Sequence, residues 1–443
     1  MTRRLFGTDG MRAVFGTPPL DRRTVQAVGY WFARLCGNGA LILGGDTRSS
    51  RAEIAGWLAA AIRAAGCEVR SAGVVPTPAV AWLVTELGAA GGIVVSASHN
   101  PYTDNGVKLI GADGFKVDPS VEDSIESRVA GHGTVDAERD GVLEDEPELA
   151  DRYLEHLAAS LPPNRPLAGL RIAVDAANGA GAPYAERLFT GLGADCAVTC
   201  DRPDGRNINL DCGSTCTGRI AAFTRSTESD LGVALDGDAD RALLSDHQGR
   251  ICDGDVLLYA WASHLAARGE LPGRRIVATT MSNMGLEKAL EARDVDVVRC
   301  GVGDREVVEL MRREGVRLGG EQSGHLVDLE LGTTGDGLLT AAAVAAIVAA
   351  SGRSLADLAA GFQRFPQTLR NVRVCEKQPL ESVPGLSEAV ASVERELGTS
   401  GRVLLRYSGT EALARVMIEG PDQGRIEELC GSITSILEAE LGY

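Results

Sequence analysis

Leu231-Gly232-Val233-Ala234-Leu235-Asp236-Gly237-Asp238-Ala239-Asp240-Arg241 is a short apolar run that ends abruptly in three carboxylates. Five residues with no charge and no polar alternation read as a strand buried on both faces, as in a parallel sheet covered by helices. Polar turns at the carboxyl ends of such strands are where open α/β sheets hold ligands. The spacing i, i+2, i+4 puts Asp236, Asp238 and Asp240 on one side of an extended backbone. Gly237 and Ala239 are small enough to let that turn fold tightly.

The same motif recurs outward along the chain. Ala40–Leu43 is an apolar run ending in Gly44-Gly45-Asp46-Thr47-Arg48, with a helical pattern over 52–65 closed by Gly66. Gly92–Val95 runs into Ser96-Ala97-Ser98-His99-Asn100-Pro101. Leu170–Val174 reads as a strand and Tyr184–Leu192 as a helix. Arg275–Thr279 and Val295–Cys300 read as strands, and Gly285–Ala292 and Arg305–Glu314 as helices. Val316–Leu318 reads as a strand that ends in Gly319-Gly320-Glu321-Gln322-Ser323-Gly324-His325. Alternating strands and helices predict parallel sheets packed with helices, in three similar α/β units. The last stretch differs. Strands Leu369–Val374, Arg402–Arg406 and Ala414–Glu419, with helices over 385–397 and 423–441, predict a smaller α+β domain. The resulting division is 1–150, 151–248, 249–364 and 365–443, with the acidic, aperiodic segment 136–148 as a linker.

Composition narrows the classes. With 443 residues, 44% apolar and 24% charged, the chain can build several packed cores. A net charge of −17 repels nucleic acid and anionic membranes, so neither is an expected partner. The longest apolar run, Leu338–Ala350, is too short for a bilayer and reads as a buried helix. The start, Met1-Thr2-Arg3-Arg4-Leu5-Phe6-Gly7, lacks an apolar signal core, so a cytoplasmic location is expected. Ten scattered cysteines fit reduced thiols. Cys212 and Cys216 lack a second pair at zinc spacing, and Cys196 and Cys200 would share one side of a strand or helix. No Gly-Lys-Ser/Thr, Gly-x-Gly-x-x-Gly or His-Glu-x-x-His occurs, which excludes a P-loop ATPase and removes the usual dinucleotide and zincin signatures.

Four turns could carry chemistry. The three aspartates offer hard oxygen ligands suited to Mg²⁺. An acidic surface turn or a calcium loop are the alternatives, although the later EF-hand ligands are missing. Ser98 follows a buried strand, with His99 and Lys108 as nearby basic groups. It reads as a nucleophile, or equally as a turn former or helix cap. Arg406-Tyr407-Ser408-Gly409-Thr410-Glu411 combines a guanidinium fork, hydroxyls and a flexible glycine, and Arg415 adds a second fork. That suits phosphate, or simply a hydrogen-bonded hairpin turn. The Glu321-Gln322-Ser323-Gly324-His325 turn offers acceptors and donors suited to sugar hydroxyls, but is equally unspecific alone.

Taken together and in this order, the four turns resemble the α-D-phosphohexomutase superfamily. Further motifs carry the likeness: Leu5-Phe6-Gly7-Thr8-Asp9-Gly10, Val75-Pro76-Thr77-Pro78, Asp104-Asn105-Gly106 and Thr333-Thr334-Gly335-Asp336-Gly337. The likeness spans residues 4–440 and is nearest to the bacterial branch that acts on glucosamine phosphates. It implies three α/β domains with mixed sheets plus a smaller C-terminal α+β domain around a central cleft. It implies that Ser98 carries the phosphoryl group and that Asp236, Asp238 and Asp240 hold Mg²⁺ together with an oxygen on Ser98. Arg12 and Arg241 would contact the moving phosphoryl group, Lys108 would act as general acid/base, and His99 and His325 would stand at the reacting end. Glu321 and Ser323 would read the sugar. Arg406, Ser408, Gly409, Thr410 and Arg415 would hold the phosphate that does not react.

The implied reaction interconverts glucosamine 6-phosphate and glucosamine 1-phosphate through a sugar bisphosphate. The implied partners are therefore a hexosamine or other hexose phosphate and the bisphosphate, with a homodimer left open. The alternatives are a glucose, mannose or specialised phosphosugar mutase, or a non-catalytic sugar-phosphate-binding protein. Tyr407, Ala412, Gly45, Ala13 and Glu306 depart from the family's usual residues, which are proline, proline, arginine, glycine and tyrosine. These departures bear on which sugar is accepted.

Overall fold

The computed structural model describes residues 5–7, 9–132, 135, 137, 141–408 and 412–442. The backbone gathers into two compact units. One comprises residues up to Thr279 together with Val295–Ala360, and the other Thr280–Asp294 with the residues from Gly361 onward.

The first unit contains three sheets. The first has strands β1 (Met11–Val14), β2 (Ala40–Gly45), β3 (Glu68–Val74), β4 (Gly91–Val95) and β5 (Asp104–Gly111), in the order β1-β5-β4-β2-β3. The second has β6 (Arg171–Asp175), β7 (Asp195–Thr199), β8 (Leu231–Leu235), β9 (Ala242–Asp246) and β10 (Ile251–Cys252), in the order β10-β9-β8-β6-β7. The third has β11 (Arg275–Thr279), β12 (Asp296–Cys300), β13 (Leu318–Gly320) and β14 (Leu326–Asp328), in the order β12-β11-β13-β14.

One plan underlies all three. Three strands run parallel, and the last of them, β4, β8 or β13, turns back into an antiparallel partner. The sheets are therefore mixed, where strand–helix alternation alone predicts parallel ones. The antiparallel strands follow tight polar turns rather than helices, so the alternation does not report them. β4 and β8 are buried along their whole length, as a strand covered on both faces must be.

Three local expectations are corrected. The strand read at 316–318 lies at Leu318–Gly320, because Gly319 and Gly320 pair with β14 instead of opening the turn. Ile251–Cys252 belongs to the second sheet as its edge strand, beyond the expected boundary at 248. The described part of the expected linker docks onto the first sheet. Ser71 Oγ donates to Asp145, and Arg70 pairs with Glu146. Among the described residues no helix is long and apolar enough to cross a membrane.

The helix Gly337–Ser351 is buried over its first twelve residues and packs on β8, β9 and the helix Gly254–Arg268. Asp336 caps it, accepting from Leu339 N–H at 3.0 Å. Its other oxygen accepts from the buried Tyr153 hydroxyl at 2.7 Å.

The second unit is built on an antiparallel sheet of β15 (Gln367–Arg373), β16 (Arg402–Tyr407) and β17 (Leu413–Glu419), with β17 central. Helices Leu386–Leu397 and Gln423–Leu441 close its core around Val416, Ile418, Ile426 and Ile433. Buried Glu419 ties in the inserted segment 280–294. It accepts from Asn283 Nδ2 at 2.9 Å and pairs with Arg402, whose Nη2 reaches Ser282 O at 2.6 Å.

Burial pushes the Asp336 carboxyl up to about 6, against the hydrogen bonds that favour its charge. Between the ordinary carboxylate value and about 6, the folded chain then binds this proton more tightly than the unfolded chain. Stability from this group therefore falls as pH rises through that window. Asp336→Asn retains a capping oxygen and is expected to remove that part of the fall. Urea unfolding of both proteins across the window checks this, and an identical slope would refute it.

Candidate active site

The three turns that follow β4, β8 and β13 meet within the first unit. Equivalent strands of the three similar sheets thus deliver Ser98, the aspartates and the Glu321–His325 turn to one place. The aspartate turn is the hub. Asp238 O accepts from Thr77 N–H at 3.0 Å, Gly237 O from Ala180 at 2.8 Å, and Ala239 O from Gly337 at 2.9 Å. A Cβ on Gly237 would stand 2.5 Å from Ser98 O, so the close approach of the first two turns requires glycine there.

Ser98 is buried in left-handed backbone at φ 51°. Its Oγ donates to Asp236 Oδ2 at 2.6 Å and lies 3.2 Å from His99 Nδ1. Ligand oxygens of Asp236, Asp238 and Asp240 fall within 4.8 Å of one another. Asp238 Oδ1 and Asp240 Oδ1 are buried and lack hydrogen-bond partners, so each has a free lone pair where a cation would sit. The donor set is all carboxylate oxygen, which fits a hard divalent ion.

Charges around the trio divide its protons unevenly. Burial, then Asp240 and Asp238, push the Asp236 carboxyl well above the ordinary range. Burial acts the same way on Asp238 and Asp240, but Lys108 with Thr77 on the first, and Lys108 with His325 and Arg241 on the second, together outweigh it and hold both low. Lys108 Nζ is 2.5 Å from Asp238 and 3.3 Å from Asp240. Burial opposes its charge, yet these two acids keep its proton bound more firmly than in water. Thr77 Oγ1 also donates to Asp238 Oδ2, at 2.5 Å.

Arg241 donates its backbone N–H to Asp236 Oδ1 at 3.2 Å, and its Nε lies 3.7 Å from Asp240. Arg12 stands 3.4 Å from Asp9. The Nε atoms of Arg12 and Arg241 are buried without hydrogen-bond partners, as expected of groups aimed at an anion. Burial, then Arg241 and Arg12, lower the His99 pKa and keep that imidazole neutral beside Ser98.

His325 lies between two acids, 3.7 Å from Asp240 and 3.9 Å from Asp304. Gly335 N–H donates to its Nε2 at 3.0 Å, which assigns the Nδ1–H tautomer. Burial disfavours a charged ring, but Asp240, Asp304 and Glu321 outweigh it and raise its proton affinity. Glu321 accepts from Gly303 N–H at 3.1 Å and from Ser323 Oγ at 3.4 Å.

In the second unit, Arg406 and Arg415 face each other across β16 and β17. Like charges directly opposite are unfavourable on a ladder unless an anion joins them. Burial, then Arg415, lower the Arg406 pKa. Arg415 Nη2 reaches Ser408 Oγ at 3.4 Å. Gly409 and Thr410 lie outside the described residues. Tyr407, one of the departures, anchors its strand through its hydroxyl to Gln378 O at 2.7 Å.

Sequence reasoning left several supports without a role. Arg48 pairs with buried Asp46 and reaches Ser98 O at 3.1 Å, and Ser96 Oγ donates to Asp46 at 2.6 Å. Asn209 Nδ2 donates to Ser98 O at 2.9 Å. Lys116 pairs with Asp304. Asp46, Arg48 and Asp304 also follow strand ends, and that position was their available signal. Asn209 carried none, since its loop touches Ser98 only in the folded chain.

Phosphoglucomutase/phosphomannomutase domain families match in order: domain I over residues 3–135, II over 151–249, III over 253–365 and the C-terminal domain over 369–435. A phosphoglucosamine mutase of Desulfovibrio desulfuricans is 43% identical, covering 100% of both chains. One from Koribacter versatilis is 42% identical over 99% of this chain and 98% of its own. The chain belongs to the phosphoglucosamine mutase family. Among solved structures, a phosphoglucomutase/phosphomannomutase family protein of Burkholderia thailandensis shares the fold, with TM-score 0.82 and 24% identity over 99% of this chain and 97% of its own. So does N-acetylphosphoglucosamine mutase of Aspergillus fumigatus, solved with GlcNAc-6P and magnesium. Its TM-score is 0.71 and its identity 20%, over 98% of this chain and 96% of its own.

Asn209→Ala removes a donor to Ser98 O without touching the carboxylates. We expect mutase kcat to fall roughly 10- to 100-fold, with KM little changed, because the serine loop loses its fixed position. Steady-state kinetics check this, and an unaltered kcat would dismiss Asn209 as a support.

Proposed function

We propose that this chain interconverts glucosamine 6-phosphate and glucosamine 1-phosphate, with Ser98 as the phosphoryl carrier. One observation carries the reading. Ser98 Oγ lies 2.6 Å from Asp236 in the buried aspartate turn of a chain 43% identical, end to end, to a phosphoglucosamine mutase.

Phosphorylated Ser98 gives its phosphoryl group to the free hydroxyl of the hexosamine monophosphate. The P–O bond to Ser98 breaks, one to the sugar forms, and the sugar hydroxyl gives up its proton. The bisphosphate then presents its other phosphate, which returns to Ser98. Asp236, Asp238 and Asp240 would hold Mg²⁺, which when bound neutralises charge on the transferring group. Arg12 and Arg241 bring guanidinium groups to the same phosphoryl oxygens. Lys108 is the proton carrier. While it is paired with Asp238 and Asp240 it holds its proton, so it exchanges one with the sugar only when those charges are met otherwise. Glu321, Ser323 and His325 read the sugar, His99 steadies Ser98, and Arg406, Ser408, Gly409, Thr410 and Arg415 bind the distal phosphate. Of the expected division 1–150, 151–248, 249–364 and 365–443 we keep the first and last boundaries for this reading and place the second after Cys252, because Ile251–Cys252 pairs with β9.

A panel of hexose phosphates assayed with the phosphorylated protein tests the substrate. The highest kcat/KM is expected on glucosamine phosphate, and a higher value on glucose 1-phosphate would sink the assignment. Intact mass should reveal a phosphorylated fraction that Ser98→Ala abolishes along with turnover. Asp238→Ala is expected to lose nearly all activity and its response to added Mg²⁺; full activity in EDTA would count against the metal role. Arg406→Ala should mainly raise KM, by about tenfold or more for the loss of a charged hydrogen-bond donor to phosphate.

A further inference from the structure

A second group of ligand-forming side chains lies in the first unit, outside the site described above. Asp175 ends β6, Cys200 follows β7, and Cys212 precedes the helix Thr217–Ser226. One ligand atom from each lies within 4.8 Å of the others. The chain spacing does not announce this. Cys212 looks closer to Cys216, and Cys196 to Cys200, whereas the fold joins Cys200 to Cys212.

The group is built as ligand sites are built. Asp175 is fully buried and its two oxygens are oriented by backbone donors, Ala177 N–H at 3.0 Å and Gly213 N–H at 2.9 Å. Asn178 Nδ2 points at Cys212 Sγ from 3.9 Å, and Thr199 Oγ1 lies 3.8 Å from Cys200 Sγ. Such outer contacts fix ligand orientation. Cys212 is buried and Cys200 half-buried, which leaves an approach on the Cys200 side. Three groups that can each be negative face one another here. Burial, then Asp175, push both thiols up, and burial raises Asp175 too, while Arg219 offsets part of each shift. A cation would relieve that conflict.

We propose that Asp175, Cys200 and Cys212 form a binding site for Zn²⁺ or a similarly thiophilic divalent ion, distinct from the all-oxygen aspartate site. Two sulfurs and one carboxylate suit a borderline-soft ion and disfavour Mg²⁺ and Ca²⁺. Three protein ligands leave one tetrahedral position for water. The ion displaces the two thiol protons to solvent, with no change of oxidation state.

The test uses the full-length reduced protein, stripped with chelator and titrated with Co²⁺ alone. A thiolate-to-cobalt charge-transfer band should appear, saturate at one equivalent, and be bleached by Zn²⁺ but not by Mg²⁺. Co²⁺ on the aspartate trio gives no such band, because that site has no sulfur. Cys200→Ser should abolish the band and keep Mg²⁺-dependent turnover. Asp175→Asn should weaken Co²⁺ at least about tenfold, as even an outer contact would. In the unmodified protein, Zn²⁺ should protect Cys200 and Cys212 from alkylation, read by peptide mass. Absence of the band, its survival in Cys200→Ser, unchanged affinity in Asp175→Asn, or unprotected thiols would each overturn the assignment.

Discussion

Three carboxylates held within 4.8 Å in a buried turn set the terms for the rest of the first unit. Two unit charges about 4 Å apart repel by about 4 kcal/mol at an effective dielectric near 20. Three such pairs approach the total stability of a domain, about 5–15 kcal/mol. The turn survives because positive charge is built around it. Lys108 reaches Asp238 and Asp240, Arg241 lies along Asp236 and Asp240, and His325 also faces Asp240. Two carboxylate oxygens, Asp238 Oδ1 and Asp240 Oδ1, remain without a hydrogen bond, so the compensation stops short of filling the site. A site with leftover acceptors inside a cationic shell is suited to an ion and a phosphate together.

Holding such a turn needs a stiff backbone as well as charge. Asp238, Gly237 and Ala239 each give a carbonyl to a different neighbouring segment. Those segments are the start of the helix after β3, the turn after β6 and the start of the helix Gly337–Ser351, so the turn is pinned by three separate stretches of chain. The turns after the equivalent strands β4, β8 and β13 meet around it, which makes the threefold repetition of the plan a means of convergence. The second unit follows another logic. Its facing arginines lie on a small antiparallel sheet whose core is independent of the first three.

Much of this was legible in the chain. Apolar runs ending in Gly, Asp or Ser located β2, β4 and β8, and the i, i+2, i+4 spacing located the aspartate trio. Strands that return directly from a polar turn, such as β5 and β9, were less readable, because a hairpin after such a turn breaks the alternation of strand and helix.

The sequence by itself determined the strand ends and the chemistry mounted on them, since short-range periodicity and residue type suffice for both. Only the tertiary structure decided the charge state and the partners. Lys108 is 128 residues from Asp236, and whether it is a free base or the counter-ion of Asp238 depends on a contact of 2.5 Å. Asn209 behind Ser98, Asp304 behind His325 and the meeting of Cys200 with Cys212 are of the same kind. Their meaning comes from desolvation and distance, which long-range packing creates and no local pattern encodes.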